Sequence, residues 1–118
     1  MDLQGKHFGA RVRRLREERD IGLRPFARMI GFSATYLSKI ERGELPPPAE
    51  ERVKEIARLL DQNADELLAL AGKVASDVRE IIKEQPQAMA SFLRTARGLG
   101  PDELRRLEEE VQMRKSGT

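Results

Sequence analysis

One face of a short predicted helix carries the side chains whose chemistry is most informative. The face is small, polar and singly basic, and it consists mainly of Ala34, Thr35, Ser38 and Lys39. Such a face cannot drive burial, but hydroxyl and ammonium groups can hydrogen-bond to the edges of base pairs, and methyl groups can contact thymine. These residue types therefore point to contact with nucleic acid rather than to packing in a core.

The ends of this helix are marked by residues that start and stop helices. Ser33 can accept a hydrogen bond from a free backbone N–H at the beginning. Gly31 can end a preceding helix and Gly43 can end this one, because glycine adopts positive φ without a Cβ clash. Leu37 and Ile40 lie three residues apart, so they share one face that is available for burial.

A second helix is predicted immediately before it, over residues 23–30. Its apolar stripe contains Phe26, Ala27 and Ile30, and Ala27 is small enough to let another helix come close. Two short helices joined by a three-residue turn form a helix-turn-helix unit, in which the second helix lies in the DNA major groove. We therefore expect residues 33–42 to form the recognition helix.

The run GFSATYLSKIERGE, at residues 31–44, resembles the recognition half of the Xre/Cro-like, phage-repressor-like family of helix-turn-helix transcriptional regulators. The resemblance extends over about residues 8–71, helix by helix. It implies an all-α fold in which five helices form a repressor-like DNA-binding domain. The base-reading positions that it implies are Ala34, Thr35 and Lys39.

Four residues are predicted to contact the DNA phosphate backbone, namely Arg24, Tyr36, Ser38 and Arg42. Arg42 follows the recognition helix directly. Arg24 is a candidate because Leu23 stands where family members often have a Gln that contacts a phosphate. For Tyr36, a half-buried packing role is an equally good interpretation, and Ser38 is also placed for either phosphate contact or packing.

The resemblance to this family also implies a structural ion pair between Arg16 and Glu41. Arg16 belongs to a first helix, predicted over residues 3–19 from a regular apolar stripe. The stripe consists of Phe8, Val12 and Leu15. The pair would tie this first helix to the end of the recognition helix and so fix its angle.

Positive charge is concentrated on the segment that carries the recognition helix. Residues 1–43 have a net charge of +5, with ten Lys or Arg against five Asp or Glu. Residues 44–72 have a net charge of −4, and residues 73–118 of +1, so the whole chain is only +2. This distribution is what binding to a phosphate backbone requires.

The 118 residues suit one compact domain with an appendage. We predict a helix-turn-helix DNA-binding domain over residues 1–72 and a helical dimerisation or partner-binding region over residues 73–118. The second region has three amphipathic stripes, which predict a C-terminal extension of about three helices. About 46 residues cannot bury three such stripes alone.

The apolar surface predicted for that extension contains Val78, Ile82, Met89, Phe92, Leu93, Leu104 and Leu107. A homodimer is the favoured partner, because regulators of this type use two-fold symmetry to bind two half-sites of a palindromic operator. Docking on residues 1–72 and binding to another protein remain open. In the last case the chain would resemble an antitoxin, with a toxin or regulatory protein as partner and autoregulation through DNA.

Other function classes lack the residues that they need. The chain has no Cys and a single His, and its carboxylates are scattered along charged helix faces. We find no catalytic constellation, phosphate-binding glycine loop or metal-ligand spacing, so we expect neither an enzyme nor a cofactor. No apolar run is long enough to span a membrane, and a cytoplasmic location is expected.

Overall fold

The computed structural model describes residues 3–117, and side chains from Gly5 onward. All regular secondary structure in this range is α-helical, so the predicted all-α class, with five helices followed by about three more, is confirmed. The helices are α1 (Leu3–Glu18), α2 (Leu23–Ile30), α3 (Ala34–Glu41), α4 (Glu50–Leu59), α5 (Ala64–Leu70), α6 (Ser76–Glu84), α7 (Pro86–Ala96) and α8 (Pro101–Lys115).

Helices α1 to α5 enclose one hydrophobic core. α1 packs against α3 and α5, α2 packs against α3 and α4, and α4 packs against α5. The apolar stripes of all five helices meet there, because burial of apolar surface is the main force that orients amphipathic helices. The largest fully buried side chains are Phe8, Val12, Phe26, Ile30, Leu37, Ile40, Val53, Ile56, Leu60 and Leu68.

The chain divides into two compact units, and the boundary along the sequence lies between Arg79 and Glu80. The predicted boundary, after Gly72, lies seven residues earlier. The first unit extends further because Ala75 is only 7% exposed and packs into the core. The predicted second region also ends at Thr118, which lies outside the described residues.

A carboxylate in the first turn of α4 holds the start of α6 in the first unit. Glu50 Oε2 accepts hydrogen bonds from the backbone N–H of Ser76 at 3.1 Å and from its hydroxyl at 3.0 Å. Lys54 Nζ lies 3.0 Å from the same oxygen, and Arg79 donates to Oε1 at 3.2 Å. The Ser76 N–H and then the Lys54 ammonium lower the pKa of Glu50 from 4.5 to about 2.

Replacing Glu50 with Gln should weaken this attachment and reduce its dependence on acid. Because the folded-state pKa is lowered, the carboxylate stabilises the fold fully above about pH 4.5 and loses this effect as the pH falls toward about 2. We expect Glu50→Gln to melt at a lower temperature at neutral pH and to lose less stability between pH 5 and 2. Thermal melts across that range measure both effects.

Glu51→Gln is the matched control, because this side chain is 84% exposed and lies 3.8 Å from the same Lys54. Its melting curve should follow the wild type at each pH. An acid dependence that is identical in Glu50→Gln and wild type would show that the carboxylate makes no contribution.

Helices α7 and α8 of the second unit contain no fully buried side chain. Phe92 and Leu93 are more than half exposed, Leu104 is 46% exposed, and Met89 and Leu107 are half-buried. On α6, Val78 is 38% exposed and Ile82 is half-buried. The described chain therefore leaves much of the predicted partner surface open to solvent.

Candidate nucleic-acid interface

The caps predicted for the recognition helix are present in the structure. Ser33 Oγ accepts a hydrogen bond from the Tyr36 backbone N–H at 3.0 Å, which satisfies one of the free donors at the start of α3. Gly31 ends α2 with a φ of 87°, and Gly43 follows α3 with a φ of 73°. α3 is thus a short helix with fixed ends, as the sequence predicted.

The two faces of α3 differ as its residue pattern requires. Leu37 and Ile40 are at most 1% exposed and point into the core. Thr35 and Lys39 are exposed on the other side, and Ala34 and Ser38 are half-buried between the two faces. Two of the three predicted base-reading side chains therefore lie on the accessible side of the helix, and Ala34 lies at the edge of that side.

A shallow concavity lies between the start of α2 and the accessible face of α3. It brings together two of the predicted base-reading residues with three of the predicted phosphate-binding residues. Its lining consists of Leu23, Arg24, Ala34, Thr35, Ser38 and Arg42. Two guanidinium groups beside a hydroxyl-bearing helix face make a surface that can accept a phosphate next to a base edge. Lys39 is exposed on α3 but does not line this concavity.

Arg13 is a basic residue of this surface that the sequence did not single out. It lines a second concavity together with Leu23, Ser38 and Arg42, so it lies close to the first one. Its side chain is 56% exposed and pairs loosely with Glu17 at 3.4 Å. The excess positive charge of residues 1–43 was the available signal, but only the packing of α1 against α3 shows which arginine reaches this surface.

Arg42 has an acidic neighbour. Its Nη2 donates to Glu44 Oε2 at 2.9 Å, and both side chains are about half exposed. An exposed pair of this kind contributes little to stability, because water screens the attraction. The guanidinium can therefore exchange Glu44 for a phosphate at small cost.

Tyr36 packs against the turn between α2 and α3. Its ring meets the ring of Phe32 edge to face, with the centroids 4.8 Å apart and the planes at 82°. The residue is half-buried, as the packing interpretation required. Contact of its hydroxyl with a phosphate stays a prediction.

Arg16 and Glu41 form a buried, two-bonded ion pair. Arg16 Nε and Nη2 donate to the two carboxylate oxygens of Glu41 at 2.8 and 2.9 Å. Arg16 Nη1 also donates to the carbonyl of Ile21 at 2.8 Å. The hydrogen bond to Glu41 raises the pKa of Arg16, against the opposite effect of burial. One guanidinium thus joins α1, the turn before α2 and the last residue of α3.

Gly9 allows a close approach between α1 and α3. A Cβ atom at this position would lie 2.0 Å from the carbonyl oxygen of Ile40 and 2.8 Å from that of Glu41. No side chain other than hydrogen fits there without moving backbone. A glycine inside a predicted helix was the only signal of this contact in the sequence.

A metal site and a membrane-spanning helix are both absent from the part of the chain that the structure describes. Within residues 3–117, no three His, Asp or Glu side chains come together in a way that could hold a metal ion. In the same range, no helix combines the length and the apolar character needed to cross a bilayer.

Comparison with known proteins supports the arrangement of α1 to α5. The family described as "Helix-turn-helix domain" matches residues 7–70, which covers more than half of the chain and includes the caps and the concavity described above. This chain belongs to the helix-turn-helix family of transcriptional regulators. The predicted resemblance to helix-turn-helix transcriptional regulators is thereby confirmed, and this family consists of DNA-binding regulators rather than of enzymes.

Individual relatives agree with this assignment. The regulator is 30% identical over 99 residues to a protein described as the uncharacterized HTH-type transcriptional regulator RghRB from Bacillus subtilis (strain 168), covering 82% of this chain and 71% of that protein. A crystal structure of the clp gene regulator ClgR from C. glutamicum shares 26% identity and a TM-score of 0.52, covering 61% of this chain and 92% of that one. A second ClgR structure, at 22% identity and the same TM-score, covers 82% of this chain and shows similarity of fold.

Proposed function

We propose that this regulator binds a palindromic operator as a homodimer, reads its sequence with α3 in the major groove, and represses the promoter that contains it. The observation that carries the proposal is the concavity in which Arg24 and Arg42 flank the accessible face of α3. Base-reading and phosphate-binding groups are side by side there. A dimer that covers promoter DNA would exclude RNA polymerase.

Sequence selection is assigned to three side chains of α3. Lys39 can donate to the O6 and N7 atoms of guanine, and Thr35 can hydrogen-bond a base edge or contact a thymine methyl group. Ala34 offers a methyl group for thymine. The exposure of Thr35 and Lys39, together with the burial of Leu37 and Ile40 opposite them, supports this orientation.

Affinity is assigned mainly to the arginines at the rim. Arg24, Arg42 and Arg13 would bind phosphates on either side of the base-reading face, with Ser38 as a neutral donor between them. Such contacts release counterions from DNA, so binding should weaken steeply as salt concentration rises. They fix the position of α3 on the duplex without selecting a sequence.

Replacing Lys39 with Ala should reduce the preference for the cognate sequence by about 1–3 kcal/mol, because a donor to a base edge is lost. The cognate duplex is first selected from random DNA with the wild-type protein. Fluorescence anisotropy at fixed salt then measures affinity for that duplex and for a scrambled one. We expect Lys39→Ala to lose affinity for the selected duplex and not for the scrambled one.

Lys83→Ala is the control for loss of a positive charge, because Lys83 is exposed on α6, in the second unit, and pairs with Glu80. It should leave the ratio of the two affinities unchanged. If Lys39→Ala weakens both duplexes equally, Lys39 contacts phosphate and not a base.

The second unit supports the homodimer through an apolar groove within α7 and α8. The groove is lined mainly by Phe92, Leu104, Leu107 and Val111. Helix α8 carries acidic residues in its first turn and basic residues in its last turn, namely Asp102, Glu103, Arg114 and Lys115. In an antiparallel pair of α8 helices these ends would lie opposite each other, and the apolar groove would be covered by the second copy.

Replacing Val111 with Glu should convert the dimer into a monomer, because it would bury a carboxylate in the apolar contact. Light scattering after size exclusion measures the mass, with Glu109→Gln as the control at a position of the same helix that does not line the groove. A wild-type chain that is itself monomeric would contradict the homodimer. In that case a protein partner, as in a toxin–antitoxin pair, becomes the better proposal for the groove.

A promoter reporter tests the direction of regulation. The selected sequence is placed across a promoter, and expression is compared with and without the wild-type regulator. Repression predicts a fall with the wild type and a much smaller fall with Lys39→Ala. A rise in expression would show activation.

A further inference from the structure

A side chain from α4 contacts the turn between the two helices of the helix-turn-helix unit. Arg52 Nη1 donates to the carbonyl oxygen of Ile30 at 3.0 Å. Ile30 is the last residue of α2, and carbonyls at the end of a helix have no partner within it. A cation at this position also interacts favourably with the negative end of the helix dipole.

The same guanidinium lies beside the aromatic pair of the turn. The Arg52 Cζ atom is 5.9 Å from the centroid of the Phe32 ring, within the range of a cation–π contact. The Phe32 ring in turn meets the Tyr36 ring edge to face at 4.8 Å. A continuous series of contacts therefore leads from the first turn of α4 to the recognition helix.

This series acts on the segment that sets the angle between α2 and α3. The two helices are joined by Gly31, Phe32 and Ser33 alone. Ser33 caps α3, and Gly31 has the positive φ that turns the chain. Phe32 is the one large side chain of this turn, so its position decides how α3 leaves α2. Arg52 contacts both the carbonyl that precedes the turn and the ring at its centre.

We propose that Arg52 is a positioning residue for sequence recognition, holding the Phe32 turn so that Thr35 and Lys39 present their side chains to the bases in register. Arg52 does not line the concavity formed by Arg24 and Arg42, so it acts through the turn and not on DNA directly. The inference rests on the proposed function, because it assumes that α3 reads bases.

The physical effect is on geometry more than on total affinity. Phosphate contacts tolerate small displacements because a phosphate offers several acceptor oxygens and attracts a cation from many directions, whereas hydrogen bonds to base edges require correct distances and angles. A small rotation of α3 should therefore weaken binding to the selected sequence while binding to scrambled DNA persists.

Two variants and one control test the inference. Arg52→Met keeps the aliphatic stem but removes the donors and the charge, and Arg52→Lys restores the charge. Arg58→Met removes the same group from α4 at a position that is 70% exposed and pairs with Glu55 at 3.4 Å. We expect Arg52→Met to bind the wild-type-selected duplex about tenfold more weakly, with unchanged affinity for a scrambled duplex, Arg52→Lys to be intermediate, and Arg58→Met to match the wild type.

A second readout does not depend on DNA. Tyr36 is the only Tyr, and the chain has no Trp, so the tyrosine band in near-ultraviolet circular dichroism reports on the surroundings of Tyr36, which include the Phe32 ring. Arg52→Met should reduce this band while far-ultraviolet helicity stays constant. Arg58→Met should leave the band unchanged.

Three results would overturn the inference. Equal losses on selected and scrambled duplexes would make Arg52 a phosphate contact. An unchanged ratio of the affinities for the selected and scrambled duplexes would show that the turn keeps its conformation without Arg52. An unchanged tyrosine band in Arg52→Met would show that Arg52 does not order the aromatic pair, and this result counts even if the wild-type protein selects no DNA sequence and the proposed function fails.

Discussion

Replacing Arg16 with Met is expected to lower the free energy of unfolding by about 3–5 kcal/mol, because it leaves the Glu41 carboxylate buried without its partner. The two side chains are only 8% and 4% exposed. The substitution removes both bonds to the carboxylate and the bond to the Ile21 carbonyl. Urea or thermal unfolding followed by circular dichroism measures the loss.

The double variant Arg16→Met with Glu41→Leu separates the cost of an unpaired charge from the value of the pair. Two apolar side chains of similar size should restore most of the lost stability, since a buried pair is often worth little against a well-packed apolar replacement. Arg13→Met is the control for the same change at an exposed position of α1 and should alter unfolding by less than about 1 kcal/mol. If Arg16→Met is no less stable than Arg13→Met, the pair does not hold α3.

The restored double variant also carries a prediction for DNA binding. Arg16 joins α1 and the turn before α2 to the end of α3. The pair should therefore fix the position of the C-terminal end of α3 relative to α1 and α2. A stable double variant with weaker discrimination between selected and scrambled duplexes would show that the pair serves geometry. A stable variant with full discrimination would show that apolar packing alone places α3.

The second large effect is expected from Gly9→Ala, which should destabilise the protein by about 3 kcal/mol or more. A helical Gly→Ala change normally stabilises by about 1 kcal/mol, so the expected sign is opposite to helix propensity. The reason is the 2.0 Å distance from the added Cβ to the Ile40 carbonyl oxygen, which forces α1 and α3 apart. Chemical unfolding gives the free energy directly.

Gly100→Ala is the matched control, since its Cβ would meet only the Glu103 side chain, at 3.9 Å. A change of at most about 1 kcal/mol is expected there. If Gly9→Ala proves as stable as wild type, the backbones of α1 and α3 do not require a glycine at this position.

Local features of the chain could be predicted well because their causes are local. The caps at Ser33, Gly31 and Gly43 and the helical spacing of Leu37 and Ile40 lie within a few residues of the atoms that they affect. Apolar periodicity also predicted the first helix and the extension of about three helices over residues 73–118, because an amphipathic helix repeats apolar residues on one face. The Arg16–Glu41 pair, 25 residues apart, was implied only by resemblance to a family.

The features that were missed all join distant parts of the chain. In the sequence, Gly9 is only a residue that disfavours a helix. The need for glycine there comes from a backbone carbonyl of α3 that leaves no room for a Cβ atom. In the sequence, Arg52 looks like the other charged residues of α4. It is distinguished only in the folded domain, where it donates a hydrogen bond to the last residue of α2. The predicted boundary after Gly72 followed the end of the fifth helix, and the bonds of Glu50 to Ser76 and Arg79, more than 25 residues away, attach the chain beyond that point to the first unit.

The sequence by itself determined the class of fold, the recognition helix with its caps, the positively charged N-terminal segment and the family. These follow from periodicity, capping chemistry and a continuous motif, which are properties of neighbouring residues. The tertiary structure alone decided which arginines surround α3, how closely α1 approaches it and which side chain holds the turn before it. Those outcomes depend on distances between helices, and core packing sets such distances only when the whole domain folds.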